Sequence, residues 1–410
     1  MTSDGGPVYV WIWLPGEFDP VVCGRLDEDD AGGVTFTYAR SYRDRADAVP
    51  IYEPELPLRA GPHVAADGIR LPLCIDDAMP DVWGRTVIAH RLGTPTAELD
   101  EFALLLQSGS DRLGALDFQA SPNTFEYRGG HQPTLDDLAD AAERLQRGEP
   151  LSPELDQALA QGSSMGGARP KALLRDGHRR FIAKFSSITD SYPVVQGEFV
   201  AMELARRCGI DVASVELRRA GGRYALLVER FDREADGARR RVVSALTVVG
   251  LTPFPGGRYA TYVGLADAVR AGFANPDATL RELFARVSFN ILCSNTDDHG
   301  RNHAAFVSDE LMLTPAYDIC PQARGTEARQ AMAFTRGTDN RPPCRESRVG
   351  LLVDAAADYH LSSDDARMIV DHQVETIRSN WRQACDLAEL TGAQRDAFMG
   401  TQFLAPYSLG

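Results

Sequence analysis

The chain is organised around the polar stretch Asn295-Thr296-Asp297-Asp298-His299-Gly300-Arg301-Asn302. Short apolar runs at residues 289–292 and 304–307 flank it, so the stretch is predicted to be a loop between two buried segments. Its Asp297 and Asn302 form an Asp-x-x-x-x-Asn pattern, which can offer a carboxylate to a substrate hydroxyl and an amide to a magnesium ion. A second acid, Asp318, ends the segment 313–318 and is a candidate metal ligand. The stretch therefore predicts phosphoryl transfer.

Two other interpretations of the stretch remain open at this point. Asn, Asp and Gly crowd ordinary turns, so Asp297, Asp298 and His299 can belong to a solvated turn. They can also ligate a transition metal in a hydrolase, which needs more histidines than the one nearby, His303. Asp298 is not required by the pattern and can serve to shape the turn.

Composition places the chain among globular proteins. At 410 residues it is predicted to hold about two or three packed units, and its 44% hydrophobic and 25% charged residues are ordinary values. The net charge of -15 and the pI near 5.0 argue against binding nucleic acid through the overall field of the protein. A local basic patch or a basic partner stays possible.

The cysteines and the N-terminus predict a soluble, cytoplasmic protein. The 7 cysteines are scattered and form no Cys-x-x-Cys pair, which indicates reduced thiols without a disulfide framework or zinc site. The apolar run at residues 8–14 has an acidic residue before it and is too short for a signal peptide. No stretch approaches the roughly 20 apolar residues of a membrane span, so no membrane partner is expected.

Residues 1–150 are predicted to form a β-rich N-terminal subdomain. Strands are expected at residues 8–14 and 34–38, and short helices at 97–107 and from a capping box at Thr134. Residues 80–85 are interpreted as a proline turn with a packed tryptophan. Pro150 and Pro153 mark the boundary, after which residues 151–245 and 246–410 are predicted as two further parts.

A glycine-rich segment at residues 161–171 opens the second part. Small residues such as Gly166, Gly167 and Ala168 let backbone amides approach a ligand, for which phosphate is the usual case. The segment is not a Walker A loop, because no Gly-Lys-Ser/Thr follows. A plain glycine turn is the alternative.

A lysine, a glutamate and a strand end follow in order. Lys184 lies in a predicted strand at 181–185, and Glu198 in a predicted helix at 195–208. Such a pair holds ATP phosphates in protein kinases, although a lone strand lysine more often faces solvent. A further strand at 224–228 ends at Glu229 and Phe231, where a kinase hinge receives adenine.

The third part is predicted to be helical from Ala245 onward. Thr279 to Glu282 is interpreted as the capping box of the helix that delivers the chain to Asn295. A loop rich in proline and arginine spans 321–348, and Ser362 begins a long amphipathic helix whose apolar stripe indicates packing. The order of all these pieces is that of a two-lobed kinase.

The motifs together resemble the HipA-type kinases, the toxin half of bacterial HipBA toxin–antitoxin systems. The resemblance covers nearly the full length. It rests on Pro80-Asp81-Val82-Trp83-Gly84, Ser164-x-x-Gly167-Ala168-x-x-Lys171, Val228-Glu229-Arg230-Phe231-Asp232-Arg233, the stretch 295–302 and Leu313-Thr314-Pro315-Ala316-Tyr317-Asp318.

The resemblance implies an α+β, distantly kinase-like fold with a β-rich N-terminal lobe and a mainly helical C-terminal lobe. It implies an ATP- and Mg2+-dependent Ser/Thr kinase that phosphorylates a protein substrate such as an aminoacyl-tRNA synthetase and arrests growth. Matched position by position, it assigns the catalytic base to Asp297, magnesium to Asn302 and Asp318, ATP phosphates to Lys184 and adenine to Glu229 and Phe231. Gly167, Ala168 and His299 are further candidate nucleotide contacts, and Glu198 is the candidate structural ion-pair partner.

The resemblance also implies regulation and a partner. Ser164 matches a serine that some members autophosphorylate, which ejects the glycine-rich loop; Ser163 is chemically as good a hydroxyl. The family's usual partner is a HipB-like helix-turn-helix antitoxin that carries the DNA contacts, and an acidic chain suits a basic antitoxin. Residues 243–247 lack the acidic, glutamine-containing segment of the best-known members. A small-molecule phosphotransferase and a degenerate kinase that acts as a co-repressor remain alternatives.

Overall fold

A computed structural model describes residues 6–28, 32–66, 68–130, 133–165, 167–252, 256–323, 327–337 and 342–410. The chain divides into two compact units. Unit 1 comprises residues 1–189 and 218–243, and unit 2 comprises residues 190–217 and 244–410. Gly166 and parts of the predicted loop 321–348 lie outside the described residues.

The strands, in chain order, are β1 (Val8–Ile12), β2 (Val21–Glu28), β3 (Val34–Tyr38), β4 (Pro62–Val64), β5 (Leu116–Gln119), β6 (Lys171–Asp176), β7 (Arg179–Phe185), β8 (Val215–Ala220), β9 (Arg223–Glu229), β10 (Val242–Ser244), β11 (Ala304–Val307) and β12 (Leu311–Leu313).

The α-helices are α1 (Arg40–Arg43), α2 (Leu73–Asp76), α3 (Val82–Leu92), α4 (Glu101–Gln107), α5 (Leu135–Gln146), α6 (Pro153–Gln161), α7 (Val194–Arg207), α8 (Ala245–Val248), α9 (Tyr262–Gly272), α10 (Pro276–Leu292), α11 (Val349–Asp354), α12 (Ser363–Leu387), α13 (Gly392–Phe398) and α14 (Pro406–Leu409).

Unit 1 contains two sheets. The first has the order β4-β3-β2-β1-β5, and β3 alternates buried and half-buried residues as its sequence pattern predicted. The second has the order β6-β7-β9-β8, in which β7 pairs antiparallel with both β6 and β9. Buried side chains of α3, α5 and α6 form one hydrophobic cluster with the inner face of this second sheet.

Several predicted elements of unit 1 are confirmed. The capping box at Thr134 is present in both directions, with Asp137 as its partner at the start of α5. The predicted helix at 97–107 is shorter than expected, because Asp100 caps α4 and the helix begins at Glu101. Residues 80–85 are not only a proline turn, since α3 begins at Val82 and buries Trp83.

Unit 2 is mainly helical, and α10 and α12 supply much of its core. The apolar positions predicted for α10 are all buried, namely Leu280, Leu283, Phe284, Val287 and Ile291. Ser362 caps α12 as expected, and its hydroxyl accepts a hydrogen bond from the Asp365 amide. The predicted stripe on α12 is packed, with Ala366, Val370, Ile377 and Ala388 buried.

The capping box predicted at Thr279 is wrong. Helix α10 begins a turn earlier, at Pro276, with Asn275 at its N-cap position. Proline suits the first position of a helix because it has no amide hydrogen to leave unpaired. Glu282 instead pairs with Arg286 one turn later, at 2.8 Å between Nε and Oε1.

Within the described residues, none of the helices combines the length and the apolar character that crossing a membrane requires.

Candidate active site

The polar stretch lies in unit 2, in the loop that leaves the C-terminal end of α10. The Asn295 amide donates to the Asn290 carbonyl at 2.9 Å, and the Gln322 amide donates to the Ser294 carbonyl at 3.0 Å. Ser294 adopts a left-handed backbone with φ of 56°. A non-glycine residue in that region is uncommon and indicates a turn held by its surroundings. The loop is therefore anchored at its entry.

Asp298 is the buried anchor of this loop. The residue is 2% exposed, and its Oδ2 atom accepts hydrogen bonds from the Tyr262 hydroxyl at 2.5 Å and the Asn290 side-chain amide at 2.7 Å. His303 Nε2 lies 2.8 Å from the same atom. Burial raises the pKa of Asp298, but the charge and hydrogen bond of His303 and the hydrogen bond from Tyr262 outweigh it and lower the pKa overall. An ionised carboxylate only accepts, so His303 Nε2 carries the proton.

Asp297, the neighbouring residue, points to solvent instead. Crowding around its carboxyl group raises its pKa; His299 offsets part of this rise, and the like charges of Asp318 and Asp298 add to it. The sequence places two adjacent aspartates, and the fold gives them opposite roles. Asp298 holds the turn, and Asp297 presents a carboxylate with an increased proton affinity.

Asn302 and Asp318 provide oxygen atoms in the same unit. The Asn302 side-chain amide donates to the Asp297 carbonyl at 3.4 Å, which leaves its Oδ1 atom to act as an acceptor or metal ligand. Asp318 has a left-handed backbone, with φ of 59°, and its carbonyl accepts from the Asn295 side chain at 3.4 Å. Amide and carboxylate oxygens are ligands that magnesium prefers.

No group of three or more His, Cys, Asp and Glu side chains is arranged to hold a metal among the described residues. Magnesium at phosphoryl-transfer sites takes only one or two protein ligands, because substrate phosphates and water complete its coordination. The pair Asn302 and Asp318 fits a cation site of that type.

The glycine-rich segment belongs to unit 1 and is braced by the residue before α3 and by the first turn of α3. The Gly167 amide donates to Asp81 Oδ2 at 2.7 Å, and Trp83 Nε1 donates to the Lys171 carbonyl at 2.9 Å. Gly167 has φ of 105°, and a Cβ atom there would lie 2.4 Å from Lys171 Nζ. Only glycine fits this position without strain.

Ser163 and Ser164 are both buried in this segment, but their hydroxyl groups differ. The Ser163 hydroxyl donates to the Ala160 carbonyl at 2.6 Å. The Ser164 hydroxyl finds no hydrogen-bond partner among the described residues. An unsatisfied buried hydroxyl is unfavourable. Because the Ser164 hydroxyl has no such partner, moving it into solvent breaks no side-chain hydrogen bond. Gly84 of α3 packs against this segment, since a Cβ atom there would lie 1.8 Å from the Ser163 carbonyl oxygen.

Lys184 and Glu198 lie in different units. Lys184 is half-buried on β7 of unit 1, and Glu198 is buried on α7 of unit 2. The ion pair between them stays a prediction.

The strand end at 229–233 is built from buried charges. Glu229 itself pairs with Arg179 across the sheet, at 2.8 Å between Nη2 and Oε2, and Phe231 is half-buried. Arg230 pairs with Asp232 at 2.7 Å and with Asp111 at 2.9 Å. These ion pairs tie the strand end to the loop before β5.

Asp81 is a residue of structural importance that was not assigned a role from the sequence. It holds the N-cap position of α3, but its side chain makes no capping hydrogen bond and accepts instead from the Gly167 amide, 86 residues away in the chain. Asp298 was expected only to shape the turn, and its partners could not be found from the sequence because Tyr262 and Asn290 come from two separate helices. His299 precedes the short turn at 300–302 and is exposed, so its predicted nucleotide contact is still open.

Comparison with protein families gives two matches that cover different parts of the chain. The model described as the HipA-like C-terminal domain matches residues 163–381, more than half of the 410 residues. The chain belongs to the HipA family. The model described as the HipA N-terminal domain matches residues 17–119 of this HipA-family protein.

Relatives of this HipA-family chain carry the names of kinases. It is 28% identical over 355 residues, 80% of either chain, to "Putative kinase Y4mE" of Sinorhizobium fredii. It is also 28% identical over 185 residues to "Serine/threonine-protein kinase toxin HipA" of Shewanella oneidensis, covering 38% of this chain and 42% of that protein. These relatives support a kinase.

The fold is also that of a solved HipA. The HipA chain of Shewanella oneidensis MR-1, determined in a complex of HipA, HipB and operator DNA, matches with a TM-score of 0.69. The match covers 97% of this chain and 95% of that chain at 19% identity. The predicted two-lobed, α+β fold and the predicted HipA resemblance are therefore confirmed.

Proposed function

We propose that this HipA-family chain is an ATP- and Mg2+-dependent serine/threonine protein kinase of the toxin type. The observation that carries the proposal is the geometry around Asp297. Its carboxyl group is presented from a loop whose neighbouring aspartate is locked inside, and partial burial, together with the charge of Asp318, raises its pKa. A general base held beside a second carboxylate and an amide oxygen suits transfer of a phosphoryl group to a hydroxyl.

In the proposed reaction the substrate hydroxyl attacks the γ-phosphorus of ATP and the bond from that phosphorus to the bridging oxygen breaks. Asp297 accepts the proton of the hydroxyl, since it is the exposed carboxylate of the loop. Asn302 and Asp318 hold magnesium, which when bound neutralises charge on the phosphate oxygens. Lys184 holds the ATP phosphates, and Glu198 orients it.

The remaining nucleotide contacts are proposed from the strand end and the glycine-rich segment. The Glu229 carboxylate is engaged by Arg179, so the adenine contact is proposed for the backbone of Glu229, beside Phe231. Gly167 and Ala168 contribute backbone contacts to phosphate. Asp81 already occupies the Gly167 amide, so that amide binds phosphate only after the Asp81 contact opens.

We propose that phosphorylation of Ser164 inactivates the enzyme. In the described conformation Ser164 is buried and unpartnered, so a phosphate with nearly two negative charges cannot stay at this position. The modified segment has to leave its place on α3. Ser163 is the less suited residue, because its exposure breaks the hydrogen bond to Ala160.

The proposed partners are a protein substrate in the translation apparatus and a HipB-like helix-turn-helix antitoxin. The related HipA of Shewanella oneidensis was solved with HipB and operator DNA, and the charge of -15 here favours a basic partner. DNA is then contacted through the antitoxin, in the cytoplasm. Co-purification of the chain with a co-expressed helix-turn-helix protein tests this partner.

Labelled ATP with magnesium tests the catalytic proposal. The wild-type protein is expected to transfer label to protein, and Asp297→Asn to reduce the rate by about 10²–10⁴-fold. Equal transfer by both proteins contradicts the role of Asp297, and label found only in metabolites identifies a small-molecule phosphotransferase. Mass spectrometry of the same reaction is expected to place phosphate on Ser164. Comparative phosphoproteomics of cells expressing each form then identifies the substrate.

A further inference from the structure

A cavity of about 150 Å³ opens in unit 1 at the end of the β6–β7 hairpin. Arg175, Arg180 and Phe181 line it from the hairpin, and Asp111, Tyr127 and Arg230 line it from the opposite side. The candidate nucleotide contacts Lys184, Glu229, Phe231, Gly167 and Ala168 do not line it. The cavity shares none of these residues, although Arg230 in its wall lies between Glu229 and Phe231 in the chain.

The ion-pair cluster behind the cavity carries an excess of positive charge. Arg230 and Arg233 form ion pairs with the carboxylates of Asp111 and Asp232, and the charge of Asp111 also acts on a third buried arginine, Arg239. Burial, and then the nearby charge of Arg233, lower the pKa of Arg239 to about 9. With three arginines and two aspartates, the cluster keeps one uncompensated positive charge.

Two more arginines at the mouth add to this excess. Neither Arg175 nor Arg180 has an ion pair within the described ranges, and Arg180 donates only to the carbonyls of Gly177 and Arg179, at 3.2 and 3.3 Å. Partial burial and the neighbouring charge of Arg175 lower the pKa of Arg180. Two like-charged guanidinium groups held together repel each other, and an anion between them removes that repulsion.

The walls also suit a small anion by size and by hydrogen bonding. Burial and the charge of Asp111 raise the pKa of the Tyr127 phenol, so this hydroxyl keeps its proton and can donate. Asp111 does not oppose an anion at full strength, because Arg230 and Arg233 already neutralise it. A cavity of roughly 150 Å³ holds a molecule the size of benzene, which is enough for a phosphate group but not for a nucleotide.

We propose that this cavity binds a small phosphate-class oxyanion between Arg175 and Arg180. The ligand is inorganic phosphate or the phosphate group of a small monoester. The protein as a whole has a net charge of -15 and repels anions. Two arginines without ion pairs at one cavity create a local positive potential that attracts an anion there. The proposal does not depend on the proposed kinase activity.

Calorimetric titration of the full chain with inorganic phosphate and with phenyl phosphate, at low ionic strength, tests the site. Arg175→Ala combined with Arg180→Ala is expected to raise the Kd of the tighter probe at least about tenfold, the effect of losing one hydrogen bond to a charged group. The control combines Arg40→Ala with Arg59→Ala, two exposed arginines of the same unit, and removes the same charge. It is expected to leave the Kd within about twofold.

A second variant separates this cavity from the nucleotide site. Phosphate binding is expected to persist in Lys184→Met, which removes the proposed ATP-phosphate ligand. Loss of binding in Lys184→Met, or equal affinities in the two arginine double variants, overturns the proposal. So does the absence of measurable binding of either probe at millimolar concentration. Tighter binding of phenyl phosphate than of inorganic phosphate identifies a monoester as the ligand class.

Discussion

Asp297 differs from an ordinary exposed aspartate because its pKa is raised. A base acts only when it is deprotonated, so the acidic limb of the pH–rate profile of kcat/KM is expected above the ordinary aspartate value of about 3.9. The raised pKa also means that the ionised group disfavours the folded state above that pKa. Asp297→Asn is therefore expected to raise Tm slightly at pH 7 while it lowers the rate by about 10²–10⁴-fold.

Thermal unfolding of the wild type and of Asp297→Asn at pH 7 checks the expected rise in Tm, and a pH–rate profile of the wild type checks the position of the acidic limb. His299→Ala is the matched change, since His299 favours the ionised form of Asp297 and its loss moves the acidic limb to higher pH. A limb at or below the ordinary aspartate value contradicts the assignment of Asp297 as the base.

Asp298 is expected to matter for stability rather than for chemistry. Asp298→Asn replaces an acceptor of three hydrogen bonds by a group that brings its own donors, so the variant is expected to lose about 3 kcal/mol of unfolding free energy. Tyr262→Phe removes one donor and is expected to lose about 1 kcal/mol. Because the folded pKa of Asp298 is lowered, its contribution is present above about pH 4 and is lost as pH falls. Urea unfolding at pH 7 measures the stability of both variants. Equal losses of unfolding free energy in Asp298→Asn and Tyr262→Phe contradict the role of Asp298 as the acceptor shared by three partners.

At the scale of elements, α3 sets the position of the glycine-rich segment. Gly84→Ala would place a Cβ atom 1.8 Å from the Ser163 carbonyl oxygen, so the helix and the segment have to move apart. We expect a loss of about 1–3 kcal/mol of stability and weaker ATP binding in calorimetry. Thr86→Ala, on the exposed side of the same helix, is the control and is expected to bind ATP as the wild type does. Unchanged ATP binding by Gly84→Ala argues against a role for α3 in positioning the segment.

The elements themselves follow closely from local sequence. The strand at β3, the capping box of α5 and the start of α12 were predicted, because alternation and capping depend on residues a few positions apart. The start of α10 was placed a turn too late, because Thr279 and Glu282 imitate a capping box inside the first turns of a helix that Pro276 begins. The local sequence does not distinguish between two possible start signals in one segment, because the choice depends on how the helix packs in the folded protein.

At the scale of the whole molecule, the stability of unit 1 is expected to fall in acid. Asp232 is buried among Arg230, Arg233 and the Gly114 amide, and although burial raises its pKa, these groups lower it overall. A carboxylate with a lowered folded pKa stabilises above its unfolded value of about 4, and this contribution is lost as pH falls through the folded pKa. Asp232→Asn is therefore expected to lose about 3–5 kcal/mol at pH 7 and to show less acid sensitivity.

Tryptophan fluorescence during urea unfolding follows mainly this change, because three of the four tryptophans, Trp11, Trp13 and Trp83, belong to unit 1. Asp176→Asn is the control, since Asp176 is exposed and its pair with Arg218 is expected to contribute at most about 1 kcal/mol. A similar loss of unfolding free energy in Asp232→Asn and Asp176→Asn contradicts the dependence of unit 1 on its buried charges.

The sequence by itself determined the family, the order of the motifs and most of the elements, because spacing and periodicity are local and survive in the unfolded chain. It also located the candidate base at Asp297, since the Asp-x-x-x-x-Asn pattern needs only its own residues. Only the tertiary structure decided which of the two adjacent aspartates is buried, because Tyr262, Asn290 and His303 must converge on Asp298. It likewise decided that Asp81 braces Gly167 and that Arg175 and Arg180 share a cavity with Arg230. Burial and electrostatics depend on residues distant in the chain, and folding alone brings them together.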